Sequence, residues 1–297
     1  MSTGWHDYLT TREVADYLRI KERRVYEMIR QRTIPCTRVT GKWLFPRALI
    51  DRWVTANLDG EHPGAAETPP VIAGSHDPLL EWAVGNSGCG LALKGGGSLD
   101  GLERLRDGEA RLAGIHLHDL VTGTYNVEAV RGQPGLRDVV TLTWAWRRQG
   151  LILPVGNPDG VTGLADLATG RVPVAERQAA AGSRVLFEHL LASARVDPAS
   201  IAIAPGVLRT ELEVGLAVLG GEARAGFAVE PVARSLNLDF LPLTWDRFDL
   251  VVGRRDAFEP AMQSLLAFAR TATFRDKATA LGGYDIAELG AVQYNAP

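Results

Sequence analysis

Residues 71–84, VIAGSHDPLLEWAV, carry an apolar run of strand length directly into a helix. Pro78 suits a first helical position, where a missing N–H costs nothing, and Asp77 before it suits the N-cap. Capping is therefore the reading of Asp77, which leaves the Ser75 hydroxyl available to a ligand. The pattern returns at residues 95–119, GGGSLDGLERLRDGEARLAGIHLHD. There Ser98 precedes a helix with Leu99, Leu102 and Leu105 along one side, and three glycines let the backbone come close to whatever lies above. A hydroxyl beside the unpaired amides of a helix start makes a site for an anion or polar group.

Working outward, short apolar runs keep alternating with helical stretches: GIHL, VVTLTWAW, LILPV, VLFEHLLASA, LEVGLAVL, AGFAV, DFLPL, DLVV and AMQSLLAFAR. That alternation predicts an α/β body with helices packed on sheets. Two further loops fit the same scheme, Arg177 to Ser183-Arg184 before VLFEHLLASA and Thr210-Glu211 before LEVGLAVL. In open α/β sheets ligands lie beyond the carboxyl ends of the strands, where such loops converge.

Residues 54–71 are rich in Gly, Pro, Ala and acids and read as a linker, with residues 59–70 as its core. Ahead of it, Thr10 and Glu13 form a capping box for a helix starting near Thr11 and ending near Arg19. A second helix, from about Glu22 to Gln31, turns Val25 and Ile29 inward with Met28 beside them. Two short helices joined by a tight turn predict a helix-turn-helix, whose second helix can enter a major groove. Arg23, Arg24 and Arg30 fall outside the apolar stripe, where they suit phosphate or guanine, although a solvated charged face is the plainer alternative. CTRVTGKWLF then reads as a hairpin wing carrying Arg38 and Lys42. Pro46 opens a third helix whose Leu49, Ile50, Trp53 and Val54 form a packing face. Charge agrees: residues 1–60 hold 11 Lys/Arg against 7 Asp/Glu, whereas the whole chain of 297 residues has a net charge of −3.

From about Tyr8 to Leu58 the chain resembles the excisionase-type helix-turn-helix family, kin of the MerR-type winged helix. The resemblance rests on L-T-x-x-E-V-A-x-x-L, R-R-V-Y-E-M-I-R, I-P and G-K-W-x-F-P. Lys21 departs from it, standing where the family often has a capping serine. From about Val71 to Val292, IAGSHDP, GSLDGLERLRDGEARLAGIHLHD, TGTYN, RRQGLILPVGNP, RQAAAGSR and GFAVEPVARSLNLDFLPL resemble the type II periplasmic-binding-protein fold. The branch is the cytoplasmic one related to molybdate- and tungstate-binding proteins. The resemblance implies a first lobe of residues 71–146 and 238–297, a second of 147–237, and a ligand in the cleft between them. It also implies Ser75, Ser98 and Ser183 as hydroxyl donors, with His116 and Thr210 nearby and molybdate or tungstate as the effector. Two departures stand out. Ala180-Ala181-Gly182-Ser183 lacks one hydroxyl of the family's G-S-G-T, and Glu211 sits where histidine is common, its carboxylate repelling a dianion unless protonated or turned away.

Other signals lead elsewhere. His116 and His118 alternate on one strand, so a single one faces the cleft, and three metal ligands on one face are missing. Ser75 and His76 are adjacent, which points them apart and denies them a catalytic dyad. No nucleotide-binding or HExxH motif occurs. Trp144, Trp146 and Trp245 read as core or crossover packing, and Arg147-Arg148 as a solvated flank of the hinge. Cys36 and Cys89 read as reduced thiols.

The expectation is a cytoplasmic, homodimeric one-component regulator that binds double-stranded DNA and a small effector. It has no catalytic role, no cofactor and no membrane segment. Three alternatives remain: a sensor of another polar or organic metabolite, an architectural DNA binder with the body as a dimerisation scaffold, and an enzyme acting in the cleft.

Overall fold

The computed structural model describes residues 8–38, 41–56, 68–179 and 181–296. The chain divides into two compact units, Met1–Ala65 and Ala66–Pro297. Residues 59–67 of the expected linker core at 59–70, and the wing residues Val39 and Thr40, lie outside the described residues.

In the first unit, β1 (Tyr8–Thr10) leads into α1 (Thr11–Tyr17), followed by α2 (Glu22–Gln31), β2 (Leu44–Pro46) and α3 (Arg47–Ala56). The capping box forms: Thr10 Oγ1 accepts from Glu13 N, and Thr10 N donates to Glu13 Oε2 at 2.8 Å. Helix α2 starts without a side-chain cap because Lys21 offers no acceptor. Val14, Val25, Met28, Phe45 and Ile50 make the small core. Met28 is buried on α2 while Ile29 is only partly covered, a rotation of the stripe by one residue from the expected one. The packing face expected of α3 is also narrower. Ile50 is buried and Trp53 partly so, but Leu49 and Val54 are exposed, because a helix over so small a core presents one residue per turn to it. The wing is held by β1 pairing antiparallel with β2 and by a bridge from Thr37 to Leu44.

The second unit opens with β3 (Val71–Gly74), α4 (Pro78–Ser87), β4 (Ala92–Gly95), α5 (Ser98–Arg106), β5 (Leu112–Ile115) and α6 (Val127–Gly132). Then come β6 (Val139–Leu153), β7 (Val174–Arg177), α7 (Gly182–Ser193), β8 (Ile203–Leu208), α8 (Glu211–Leu219), β9 (Ala225–Val229) and α9 (Glu230–Ser235). The chain closes with β10 (Asp239–Gly253), α10 (Pro260–Ala269), α11 (Ala272–Leu281), β11 (Tyr284–Asp285) and β12 (Val292–Asn295).

The strands run β4-β3-β5-β10-β6-β9-β7-β8, with β11 and β12 on β6. Parallel βαβ units lie at both ends, β3 with β4 and β5 on one side, β7 with β8 and β9 on the other. The long strands β6 and β10 pair antiparallel along their whole length and join these halves. The end of β10 pairs β5 at Asp249–Val252, and the end of β6 pairs β9 at Gln149–Ile152. The crossing therefore falls where Arg147 faces Asp246 and Arg148 faces Trp245. The outward crossing lies on β6 at Arg147–Arg148. The return lies within β10, several residues beyond 238, because Asp239–Pro242 still pair with the lobe II half of β6. Lobe I has cores around Leu79, Trp144 and Phe248 and around Ile115 and Val251; lobe II has cores around Leu167 and Phe227 and around Val214 and Ala228.

Arg147, expected as a solvated flank, is fully buried. At the crossing Arg147 is flanked by Asp246 of β10 and Tyr284 of β11, with the Phe248 ring centre 4.6 Å from its guanidinium, so it is enclosed and paired rather than solvated. Arg148 keeps the expected position, 40% exposed, 3.3 Å from Glu230 and 4.9 Å above the Trp245 ring.

Candidate functional site

Both lobes send strand ends and helix starts to one cleft of about 400 Å³. Lobe I contributes Ser75, His76, His116 and the Gly95–Gly97 turn; lobe II contributes Arg177, Gln178, Gly182, Arg209, Thr210 and Glu211.

The lobe I side is shaped by close backbone approach. Gly74 ends β3 at φ +111°, and a Cβ there would stand 2.4 Å from the Gly114 carbonyl oxygen, so only glycine lets β3 and β5 deliver their ends together. Asp77 caps α4 as expected, accepting from Leu80 N at 2.8 Å. The Ser75 hydroxyl lies 2.8 Å from that of Ser98, and Ser98 Oγ accepts from His116 N at 3.1 Å. Ser98 is not the cap of α5. Gly97 holds that position at φ +100°, a conformation serine avoids, and Ser98 is the first helical residue, wholly buried. Ser75 is half-buried at the cleft wall, and Ser98 stands behind it, fixing Ser75 and the chain at His116.

The lobe II side is carried by Arg177, at the carboxyl end of β7. Its Nη2 donates to the Arg209 carbonyl at 3.0 Å, while Nε and Nη1 are buried without a partner among the described residues. Burial lowers its pKa from the ordinary value, against the nearby Glu211 and Glu213 carboxylates. Thr210 caps α8, its hydroxyl accepting from Glu213 N at 3.1 Å. Glu211 is turned away, its Oε2 accepting from Val229 N at 2.9 Å. The repulsion expected from Glu211 is thus reduced by orientation, while Glu213 also lines the cleft, with its Oε2 accepting from Arg209 N at 2.6 Å. Ser183 is the residue that leaves the group: Gly182 lines the cleft, but Ser183 lines a separate pocket of lobe II.

Beneath the cleft floor lies a buried ionic cluster. Arg147 donates to Asp246 from Nε at 2.9 Å and from Nη2 at 2.6 Å, and Gln149 donates to the same carboxylate at 2.9 Å. His116 Nδ1 is 3.0 Å from Asp246 Oδ2, and Arg147 Nη1 is 3.4 Å from Asp77. Burial by itself pushes the Asp246 carboxyl up, but Arg147 and His116 outweigh it and hold the group well below the usual carboxylate range. Asp77, the cap of α4, also accepts from Tyr284 OH at 2.9 Å. The cluster therefore ties the crossing strands to a lobe I helix start and to His116.

Sequence reasoning missed Arg177 and Arg209 as cleft residues, although the loop starting at Arg177 was singled out. The available signal was position, since an arginine closing a strand at the ligand end of a parallel sheet points where ligands sit. His76 is engaged by its own helix, with Nε2 2.8 Å from Glu81 Oε2. Among the described residues no three His, Cys, Asp or Glu side chains converge as a metal site, and no helix is long and apolar enough to cross a membrane.

In the first unit, Arg23, Arg24 and Arg30 are all exposed on α2. Arg23 and Arg24 lie 3.5 and 3.0 Å from Glu27. Arg38 donates to the Gly41 carbonyl at 3.2 Å and lies 5.5 Å from the Trp43 ring centre, and Lys42 is exposed. Tyr26 of α2 shares a surface hollow with Arg12, Arg38 and Lys42. Arg23 and Arg30 fall three and four residues either side of Tyr26, on the same helix face.

A helix-turn-helix unit followed by two lobes that meet over a strand-end cleft defines a two-domain binding protein. Residues 81–270 match the PBP superfamily domain and residues 8–58 a helix-turn-helix domain. The chain belongs to the PBP superfamily. Over 304 residues it is 25% identical to the uncharacterized protein YvgK of Bacillus subtilis (strain 168), covering 95% of this chain and 96% of that one. A Clostridium pasteurianum protein encoded in a ferredoxin 2Fe-2S gene 5′ region is 28% identical over 109 residues, 36% of this chain and 96% of that one. The structure of PEB3 bound to L-phospholactate superposes with a TM-score of 0.51 at 13% identity, over 72% of this chain and 98% of that chain.

Proposed function

We propose that the protein is a ligand-responsive DNA-binding regulator whose cleft takes a small anion. One observation carries the reading: Arg177 keeps two buried guanidinium nitrogens, Nε and Nη1, without partners among the described residues, at the wall of a cleft that Ser75 also lines. Unpaired buried donors cost free energy, and an anion would satisfy them with charge-assisted hydrogen bonds. His116 and the α7 start at Gly182 would close over it, with Thr210 and Arg209 at the rim.

Molybdate or tungstate is the effector that the family resemblance implies. A second class, an organic anion, is favoured by size, since a cleft of about 400 Å³ lies within the roughly 300–1,000 Å³ typical of organic-ligand sites. The head would grip DNA through Arg23, Arg24 and Arg30 of α2 and through Arg38 and Lys42 of the wing. A homodimer would place two heads on two half-sites.

Isothermal titration of the full chain with molybdate, tungstate, sulfate and a panel of small carboxylates tests the ligand. A binding heat lost in Arg177→Ala supports the reading, and flat heats throughout end it. DNA selected from a random pool, bound with and without the anion, tests the response. Equal affinity in both would favour an architectural DNA binder.

A further inference from the structure

Lobe II holds a second pocket, of about 150 Å³ and open on one side, between β7, β8 and α7. Its body is apolar, formed by Val174, Phe187, Leu191, Ile201, Ile203 and Phe227. Phe187 and Phe227 stack at 5.1 Å with an interplanar angle of 22°. One end is polar. Ser183 lines it, a residue only 1% exposed whose hydroxyl is buried with no hydrogen-bond partner among the described residues. Arg177, with Nε and Nη1 likewise unpartnered, lines this cavity as well as the cleft.

The two carboxylates at the rim are already answered. Arg184 pairs with Glu176 at 3.0 Å and with Glu188 at 2.8 Å, and it donates to the Arg177 carbonyl at 3.0 Å. The two carboxylates and two guanidiniums of the lining sum to zero, and of these groups Arg177 is the one with buried donors lacking a partner among the described residues.

A wholly apolar void would need no buried hydroxyl, and a packing defect would not gather orphan donors at one end. Buried donors without acceptors are costly, and they are rare enough in folded chains to call for a physical reason. An acceptor-bearing ligand supplies one. Size bounds its other half, because an apolar cavity of about 150 Å³ lined by Leu, Ile and Phe admits a benzene ring.

We propose that this cavity is a second ligand site, distinct from the cleft, for a small aromatic carboxylate. The ring lies against Phe187 and Phe227, where stacked aromatic walls favour a third ring. The carboxylate accepts from Ser183 Oγ and from the Arg177 guanidinium. Because Arg177 borders both spaces, occupancy of one changes the donors left to the other, and any such coupling is reciprocal.

The test is calorimetry on the full chain with sodium benzoate as the probe and benzyl alcohol as its uncharged counterpart. Benzoate is expected to bind, and benzyl alcohol to bind at least roughly tenfold more weakly, the difference expected of a charge-assisted hydrogen bond. Ser183→Ala should weaken benzoate by roughly tenfold while leaving the thermal midpoint unchanged or raised, since it removes an unsatisfied buried group. Ile203→Trp fills the mouth from a side chain that is 49% exposed, so it should fold and abolish binding. Ser75→Ala should leave benzoate affinity as it is. Absent benzoate heat, equal affinity for the alcohol, or full affinity in Ile203→Trp would overturn the proposal. Loss of benzoate in Ser75→Ala would place the carboxylate in the cleft, ending this inference while leaving the anion reading of the cleft standing.

Discussion

Arg147 and Asp246 face each other where the two long strands cross, each without solvent exposure. A buried pair of this kind is not by itself a source of stability, because desolvating both ions offsets much of their attraction. Breaking it is another matter. Arg147→Met would strand the Asp246 and Asp77 carboxylates in the interior, and the expected cost is about 3–5 kcal/mol in urea unfolding of the body. A loss within error of zero would mean that water reaches the crossing. The pair was not legible in the sequence. Adjacent arginines between apolar strands look like a surface flank, and only the register that sets Asp246 opposite Arg147 shows why one is inside. The cap at Asp77 was legible, because its cause lies within four residues. Ser98 was half legible: its place at a helix start followed from the pattern, but its hydroxyl is engaged by Ser75 and His116, whose proximity depends on β3 and β5 lying side by side.

At the scale of elements, the strands and helices of the α/β body follow from apolar periodicity, and the helix starts follow from their caps. What periodicity cannot supply is how close two lobes come. Gly182 at the start of α7 lies against His116, and a Cβ there would stand 2.7 Å from the His116 carbonyl oxygen. Gly182→Ala should therefore hold the lobes apart without disturbing either core. Anion affinity should fall by roughly tenfold or more as the closed population shrinks, with little change in thermal midpoint. Unaltered affinity would show that closure does not need this contact. A second contact spans the same gap: His118, after β5, lies 4.9 Å from His189 of α7, ring centre to ring centre. Burial lowers the His118 pKa below 6.5, as does the neighbouring His189, while Asp119 opposes the shift. With the folded value below the unfolded one, the contact contributes fully above about pH 6.5 and is lost as pH falls through the folded value. Small-angle scattering should show a larger radius of gyration at pH 5.5 than at pH 7.5, and His118→Gln should remove most of the difference. Identical radii for the unsubstituted protein would rule out the pair as a closure contact.

For the whole molecule, two units of opposite charge balance are joined in one chain, and the proposed regulation requires that a ligand in one alter the work of the other. The basic head offers Arg23, Arg24 and Arg30 on α2 with Arg38 and Lys42 on the wing, and each phosphate they neutralise releases counterions. Log affinity for DNA should thus fall linearly with log salt, and Arg30→Ala should reduce the slope by about one if that arginine holds one phosphate. Arg24 has Glu27 at 3.0 Å, so DNA must compete for it, and Arg24→Ala should weaken binding less than Arg30→Ala does. The cleft enters through linkage. An anion can shift DNA affinity only by its difference in affinity for the DNA-competent and incompetent forms. Gly182→Ala, which impedes closure, should then shrink the anion's effect on DNA binding while leaving DNA affinity without anion unchanged. Fluorescence anisotropy on a selected DNA, with the anion titrated at fixed salt, reads both quantities. If the substitution weakens anion binding yet leaves the anion's maximal effect on DNA intact, closure is not the event that reaches the head.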